Sequence, residues 1–185
     1  MPSAMPFDGA AVCVWSPCRR YRYWLRRDLR DLHTKRGPAV FVLHNPSTAD
    51  EYRDDATVAR CVRYARAWGC CSLIVVNRYA IRGTDPAVVI KEQDPVGPLN
   101  DTAISFAAKN AADNGGIVIA AWGSFGGKPV HTAAMRARAA RVAQIVVDAG
   151  ATIHALALTA DGQPRHPLYL RSNLEPFVWG GMVAA

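Results

Sequence analysis

The chain has 185 residues, half of them hydrophobic and a fifth charged, with a formal net charge of +7 at neutral pH. That composition excludes a disordered chain, and the length suits one domain with a full core. No apolar run reaches the roughly 20 residues a membrane span needs, and five cysteines without a CxxC pair argue for free thiols rather than a disulfide framework or a metal cluster.

Residues 1–10 read as a loose leader that lacks the basic start and apolar run of a secretion signal, so the expected compartment is the cytoplasm. Residues 11–185 read as a single α/β domain. Ala11–Ser16 and Tyr21–Arg27 are β-prone, and Tyr21, Tyr23 and Leu25 alternate against arginines, which predicts a hairpin or an edge strand. Ala39–His44 is apolar without interruption, as a strand buried on both faces must be. Asp55 is placed to cap a helix reaching Trp68, with Val58, Cys61, Val62 and Ala65 on one face and Arg60, Arg63 and Arg66 on another. Ser72–Asn77 (SLIVVN) is the second central strand.

A long connection broken by Asp85-Pro86 and Asp94-Pro95 follows, and Asn100 or Asp101 can cap a helix running to Asp113. Ile117–Trp122 is the third strand, Pro129–Asp148 a helix with Met135, Ala139, Val142 and Val146 inward, and Thr152–Leu158 the fourth strand. Four such strands separated by helices predict a three-layer α/β/α sandwich around a four-stranded, mainly parallel sheet, with the N-terminal hairpin beside it.

Ligands of such sheets bind beyond the carboxyl ends of the strands. Asn45, Pro46, Ser47 and Asp50 follow the first strand, and Asn77, Arg78 and Arg82 follow or end the second. Trp122-Gly123-Ser124 follows the third, and Gln163, Arg165 and His166 follow the fourth. These loops are expected to meet at one rim. A phosphate-binding GxxxxGK[ST] loop, a GxGxxG turn, an HExxH zinc pattern and a GxSxG elbow are all missing. The glycine-rich stretch Gly123–Gly127 before a helix could hold an anion but is generic.

LHNPSTAD, the pair Asp54-Asp55, VVNRYAIRGTDP, PVGPLND, AAWG and LTADGQPRHPLYL together resemble the bacterial Domain of Unknown Function family 1643, from about Tyr21 to Leu170. More distantly, the order of motifs is similar to the uracil-DNA glycosylase superfamily, whose mismatch-specific and single-strand-selective branches carry Asn-Pro-Gly after the first strand. That resemblance implies a uracil-DNA-glycosylase-like fold in which Asn45 positions an attacking water and Pro46 and Ser47 line the base site. It also implies that Asn77 reads the base edge, that Trp122-Gly123 forms the third wall, and that His166-Pro167 supports an extruded base. His44 replaces the glycine before that Asn, and Ser47 stands where those branches carry glycine.

Cleaving an N-glycosidic bond requires a held water, a carboxylate near the cationic sugar and a donor for the departing base. Asp50 or Asp54 is expected to be that carboxylate, with His166 as the donor, while Asp55 reads first as a helix cap. Arg78, Arg82 and Arg165 are the expected phosphate contacts. His44, His131 and His154 are left outside catalysis, and Tyr169 reads as a core residue before a stacking one. The expected activity is hydrolysis of the N-glycosidic bond of a flipped base, modified or not, in nucleic acid, DNA first, without metal or redox cofactor. The rivals are an enzyme acting on a free nucleoside or nucleotide, and a reader of altered bases that cuts nothing. The basic charge permits a polyanionic partner without naming one, and the sequence leaves the oligomeric state open.

Overall fold

Apolar side chains at consecutive positions make a strand that can sit inside a sheet covered on both sides, and this chain uses them that way. The computed structural model describes Phe7, Ala10, residues 11–124 and residues 129–180. In chain order it has β1 (Cys13–Trp15), β2 (Arg22–Asp28), β3 (Ala39–Leu43), α1 (Ala56–Ala67), β4 (Ser72–Asn77), α2 (Val88–Lys91) and α3 (Asn100–Asp113). It continues with β5 (Ile117–Ala120), α4 (Pro129–Asp148), β6 (Ile153–Ala155), a 3-10 turn (Pro167–Tyr169) and β7 (Phe177–Val178).

All seven strands join one sheet in the order β1-β2-β4-β3-β5-β6-β7. The four expected strands are its parallel centre, in the order β4-β3-β5-β6. The N-terminal hairpin pairs antiparallel with β4, so β2 is an interior strand and β1 the edge. On the other side β7 pairs antiparallel with His154 and Ala155 of β6. The sheet is therefore wider than the four-stranded reading. A two-residue strand with both side chains exposed carries no periodic signal, and its place is set by backbone pairing alone.

Alternate side chains of the central strands go to opposite faces. Val40, Val42, Ile74, Val76 and Val118 share a cluster with Ala103, Ile104 and Ala107 of α3 and with Ala139, Val142 and Val146 of α4. Phe41, Leu43, Val75 and Ile119 share the other cluster with Val58, Cys61, Tyr64 and Ala65 of α1. There Phe41 stacks on Trp68 at 6.0 Å between ring centroids.

Phe7 departs from the loose-leader reading, since it is buried against Trp24 and Phe106. Residues 1–6 and 8–9 of that leader lie outside the described residues, as do Phe125, Gly126 and Gly127 of the glycine-rich stretch. The helix at 100 also differs from expectation. Asn100 is its first residue and caps nothing, because its side-chain amide donates to the carbonyls of Asn77 and Arg78, both at 3.0 Å.

The strand order fixes where a crevice must open. From β3 the chain crosses through α1 on one face to reach β4, and from β5 it crosses through α4 on the opposite face to reach β6. Loops leaving the adjacent carboxyl ends of β3 and β5 therefore part to opposite sides, which is the switch point where open α/β sheets hold ligands.

Candidate functional site

A cavity of about 810 Å³ lies at that switch point. Leu43 to Asn45 and Ser47 enter it from the end of β3 and the loop beyond, Trp122 to Ser124 after β5, and Thr159, Arg165 and His166 after β6. Asn45 and His166, remote in sequence, face the same space, as the motif reading expects.

The Asn45 side chain is oriented by its neighbours. Its Nδ2 donates to the carbonyls of Gly83 at 2.8 Å and Pro46 at 3.1 Å, and the Gly83 N–H donates back to Pro46 at 2.9 Å. Two carbonyls cannot accept from an oxygen, so the free end of the amide is Oδ1, an acceptor. Pro46 is buried and outside the cavity wall, where its carbonyl ties the loop after β3 to the loop after β4.

Asp55 caps α1 as expected, its Oδ1 accepting from the Val58 N–H at 2.9 Å. It also lines the cavity, and among the described residues it is the one carboxylate that does. Its Oδ2 accepts from the Ala49 N–H at 3.4 Å, while the carbonyl of the same Ala49 accepts from Nη1 of Arg22 at 2.5 Å. Arg22 is 2% exposed and lines the cavity too. The expected carboxylates lie elsewhere. Asp50 accepts from the N–H groups of Tyr52 at 2.9 Å and Arg53 at 2.8 Å, bonds that hold its pKa down, and Asp54 pairs with Arg27 at 2.8 Å. Neither belongs to the cavity wall, because the loop turns both away before the helix begins.

On the opposite wall, Nδ1 of His166 accepts a long bond from the Leu168 N–H at 3.4 Å. Burial lowers its pKa, with the Asp55 charge pulling the other way, so the ring is neutral at neutral pH. With Nδ1 accepting, the proton of the neutral ring sits on Nε2, which is then a donor. Gly123 lies beside the carbon that carries this ring. Its φ is +81°, its N–H donates to Pro164 at 2.8 Å, and a Cβ there would meet His166 Cβ at 3.4 Å. Pro167 opens the 3-10 turn behind His166 and is buried outside the wall.

His44, set aside by the sequence reading, is part of the wall. Its Nδ1 accepts from Nη2 of Arg78 at 2.6 Å, its Nε2 faces the Pro86 carbonyl at 3.4 Å, and its ring meets Tyr79 edge-on at 5.5 Å. Burial, then the Arg78 cation, brings its pKa down to about 4.

The three expected phosphate contacts divide. Arg165 is exposed and lines the cavity. Arg78 is 0% exposed and lies over the Trp122 and Tyr79 rings, with burial bringing its pKa down to about 9. It is an interior cation that supports His44. Arg82 is exposed outside the wall, where it donates to the Ser47 carbonyl at 3.1 Å and covers Trp15 at 5.1 Å. Asn77 is 1% exposed and away from the cavity, so it has no access to a base edge; neither polar atom of its side chain has a hydrogen-bond partner among the described residues. Tyr169 moves the other way. It is 81% exposed at the cavity mouth rather than in the core.

Among the described residues no helix is long and apolar enough to cross a membrane, and no group of three or more His, Cys, Asp or Glu is placed to hold a metal ion.

The family model described as "Protein of unknown function (DUF1643)" matches residues 22–168, and the chain belongs to that family. No curated protein and no solved structure matches it.

Proposed function

We propose, for this member of the DUF1643 family, that the switch-point cavity hydrolyses the N-glycosidic bond of an extruded base, modified or not, in a fold of uracil-DNA-glycosylase type. The observation that carries the reading is that Asn45, Asp55 and His166 line one cavity. In the proposed step, Asn45 Oδ1 accepts a hydrogen bond from a water and aims it at the sugar C1′. Asp55 faces the cationic sugar and takes the water's proton. The C1′–N bond breaks, its electrons go to the base nitrogen, and Nε2–H of His166 donates to that developing anion. Asp55 thus takes the role the sequence reading gave to Asp50 or Asp54. At the mouth, Arg165 meets a backbone phosphate and Tyr169 stacks on a neighbouring base. The proposed partner is nucleic acid, DNA first, and the proposed setting is the cytoplasm.

One observation favours a second reading. A cavity of about 810 Å³ holds more than one planar base, and ligand pockets of that size take whole small molecules. On that reading the same groups act on a free nucleotide. The test is incubation with oligonucleotides bearing uracil, hydroxymethyl or carboxyl bases, then alkali, beside free nucleotides followed for base release. Cleavage of strands supports the first reading, and release from nucleotides alone supports the second. No base released from any substrate by the wild-type protein overturns both.

A further inference from the structure

We propose that the innermost part of the ligand is an anionic group, a carboxylate or a phosphate, and that Arg22 at the floor of the cavity receives it. The first strand of the hairpin pair is an edge, so β2 is an interior strand and its first residue points beneath the loop Asn45–Asp55 instead of into solvent. Only Nη1 of Arg22 has an acceptor, the Ala49 carbonyl. Nε is shut from solvent without one, and Nη2 makes no hydrogen bond among the described residues. Nor does any carboxylate there come within ion-pair distance of this guanidinium.

A cation held in the interior without a counter-ion is costly, and an anion that completes its fork recovers that cost on binding. The other charges around it do not complete it. Asp55 stands across the Ala49 peptide, with both of its oxygens already accepting N–H groups. Arg27 and Arg82 add positive charge. Burial outweighs the pull of Cys13 and Asp55 and brings the guanidinium down to about 10, so it is still charged at neutral pH. The planar fork matches carboxylate and phosphate oxygens, which accept from two N–H groups at once.

Depth limits what the anion can be. Arg22 is 2% exposed, whereas Arg165 at the mouth is open to solvent. A phosphate of a nucleic-acid backbone remains at the mouth. The group that reaches Arg22 is therefore the terminal phosphate of a free nucleotide or an acidic substituent on an extruded base.

The proposal rests on the reading of the cavity as a base or nucleotide site only for its choice of probes. The experiment is calorimetric titration of the full chain with uridine and its 5′-monophosphate, with uracil and 5-carboxyuracil, and with inorganic phosphate and acetate. Wild-type protein should bind at least one anionic probe about tenfold or more tightly than its neutral counterpart, the size of one charge-assisted hydrogen bond. Arg22→Gln should erase that preference and Arg22→Lys should keep part of it, with circular dichroism establishing that each variant is folded. The preferred probe names the source: the monophosphate for a free nucleotide, the carboxylated base for an extruded one. Equal binding of charged and neutral probes, or a preference lost in Arg165→Gln or unchanged in Arg22→Gln, overturns the anion site. Binding of phosphate or acetate through Arg22 with no binding of any base overturns the base-processing reading and leaves the anion site standing. No binding of any probe overturns both.

Discussion

Arg78 donates to Nδ1 of His44 at 2.6 Å, which fixes the tautomer of one residue and the place of the other. An arginine has only donors, so the facing nitrogen must accept, and the neutral imidazole carries its proton on Nε2. The same bond keeps Arg78 inside the fold, under the cavity instead of on its rim.

Acid should therefore loosen this fold through His44. Its pKa in the folded chain is about 4, below the ordinary 6.5, so the unfolded chain takes up the proton first as pH falls. The stabilisation is complete above about pH 6.5, shrinks as the pH drops toward 4, and is gone below that, for a total on the order of 3 kcal/mol. The lowered pKa of His166 acts in the same direction. Urea unfolding at pH 7.5 and pH 5 should show the wild-type protein losing stability, and His44→Asn, which keeps an acceptor for Arg78, losing less. An identical loss in the variant would remove His44 from the explanation.

Asp55 can be separated from its neighbours by one conservative change. Asparagine caps a helix about as well as aspartate, so Asp55→Asn should keep the cap to Val58, give up the long bond from Ala49, and remove the only carboxylate in the wall among the described residues. Base release should fall by about 10²- to 10⁴-fold, the usual contribution of a general base. Asp54→Asn loses an ion pair with Arg27 and Asp50→Asn a turn contact, and both should keep most of the wild-type rate. Full activity in Asp55→Asn would return the base to some other group.

How much of this could be read from residues alone depends on what each signal encodes. SLIVVN becomes β4 from end to end, because its unbroken apolar run from Leu73 to Val76 suits a strand buried on both faces, and the polar Ser72 and Asn77 are buried with it at the two ends. The rim was legible for Asn45, Ser47, Gly123, Arg165 and His166, since a parallel sheet gathers its loops at one edge whatever their spacing in the chain. Arg22 was not. Its alternation with tyrosines reads as an outward face, and only the pairing of β2 with β4 and the loop above it turn that position inward. Asp55 was half legible. The cap is a local bond to Val58, while its access to the cavity depends on the distant walls that enclose the same space. Asn77 and Arg78 end or follow a strand just as site residues do, and the packing of α3 and α4 over that strand end buries them.

Tyr169 should matter for strands and not for isolated bases. Its ring is 81% exposed at the mouth, and stacking of one base on an aromatic side chain contributes about 1–3 kcal/mol. Tyr169→Ala should weaken binding of a short single-stranded oligonucleotide by about tenfold or more, whereas Tyr169→Phe should bind as the wild type does. Fluorescence anisotropy at two salt concentrations measures both. Equal affinity for all three proteins would leave the exposed ring without a nucleic-acid role.

Two glycines with nearly the same backbone isolate the part His166 plays. Gly123 has φ +81° and Gly162 φ +76°, a region where any side chain costs about 1–2 kcal/mol. A Cβ at Gly162 meets nothing within 4 Å, whereas one at Gly123 meets His166 Cβ at 3.4 Å. Both Gly→Ala variants should therefore melt earlier than the wild type by similar amounts. Gly123→Ala should in addition lower the rate of base release, because the added methyl packs against Cβ of His166, the atom that carries the ring facing the departing base, and Gly162→Ala should not. The strain common to both variants cancels in the comparison, so what remains measures the position of one imidazole. Equal rates in the two variants, at equal stability, would mean that crowding beside His166 does not affect the chemistry, and the donor would have to be sought on another wall of the cavity.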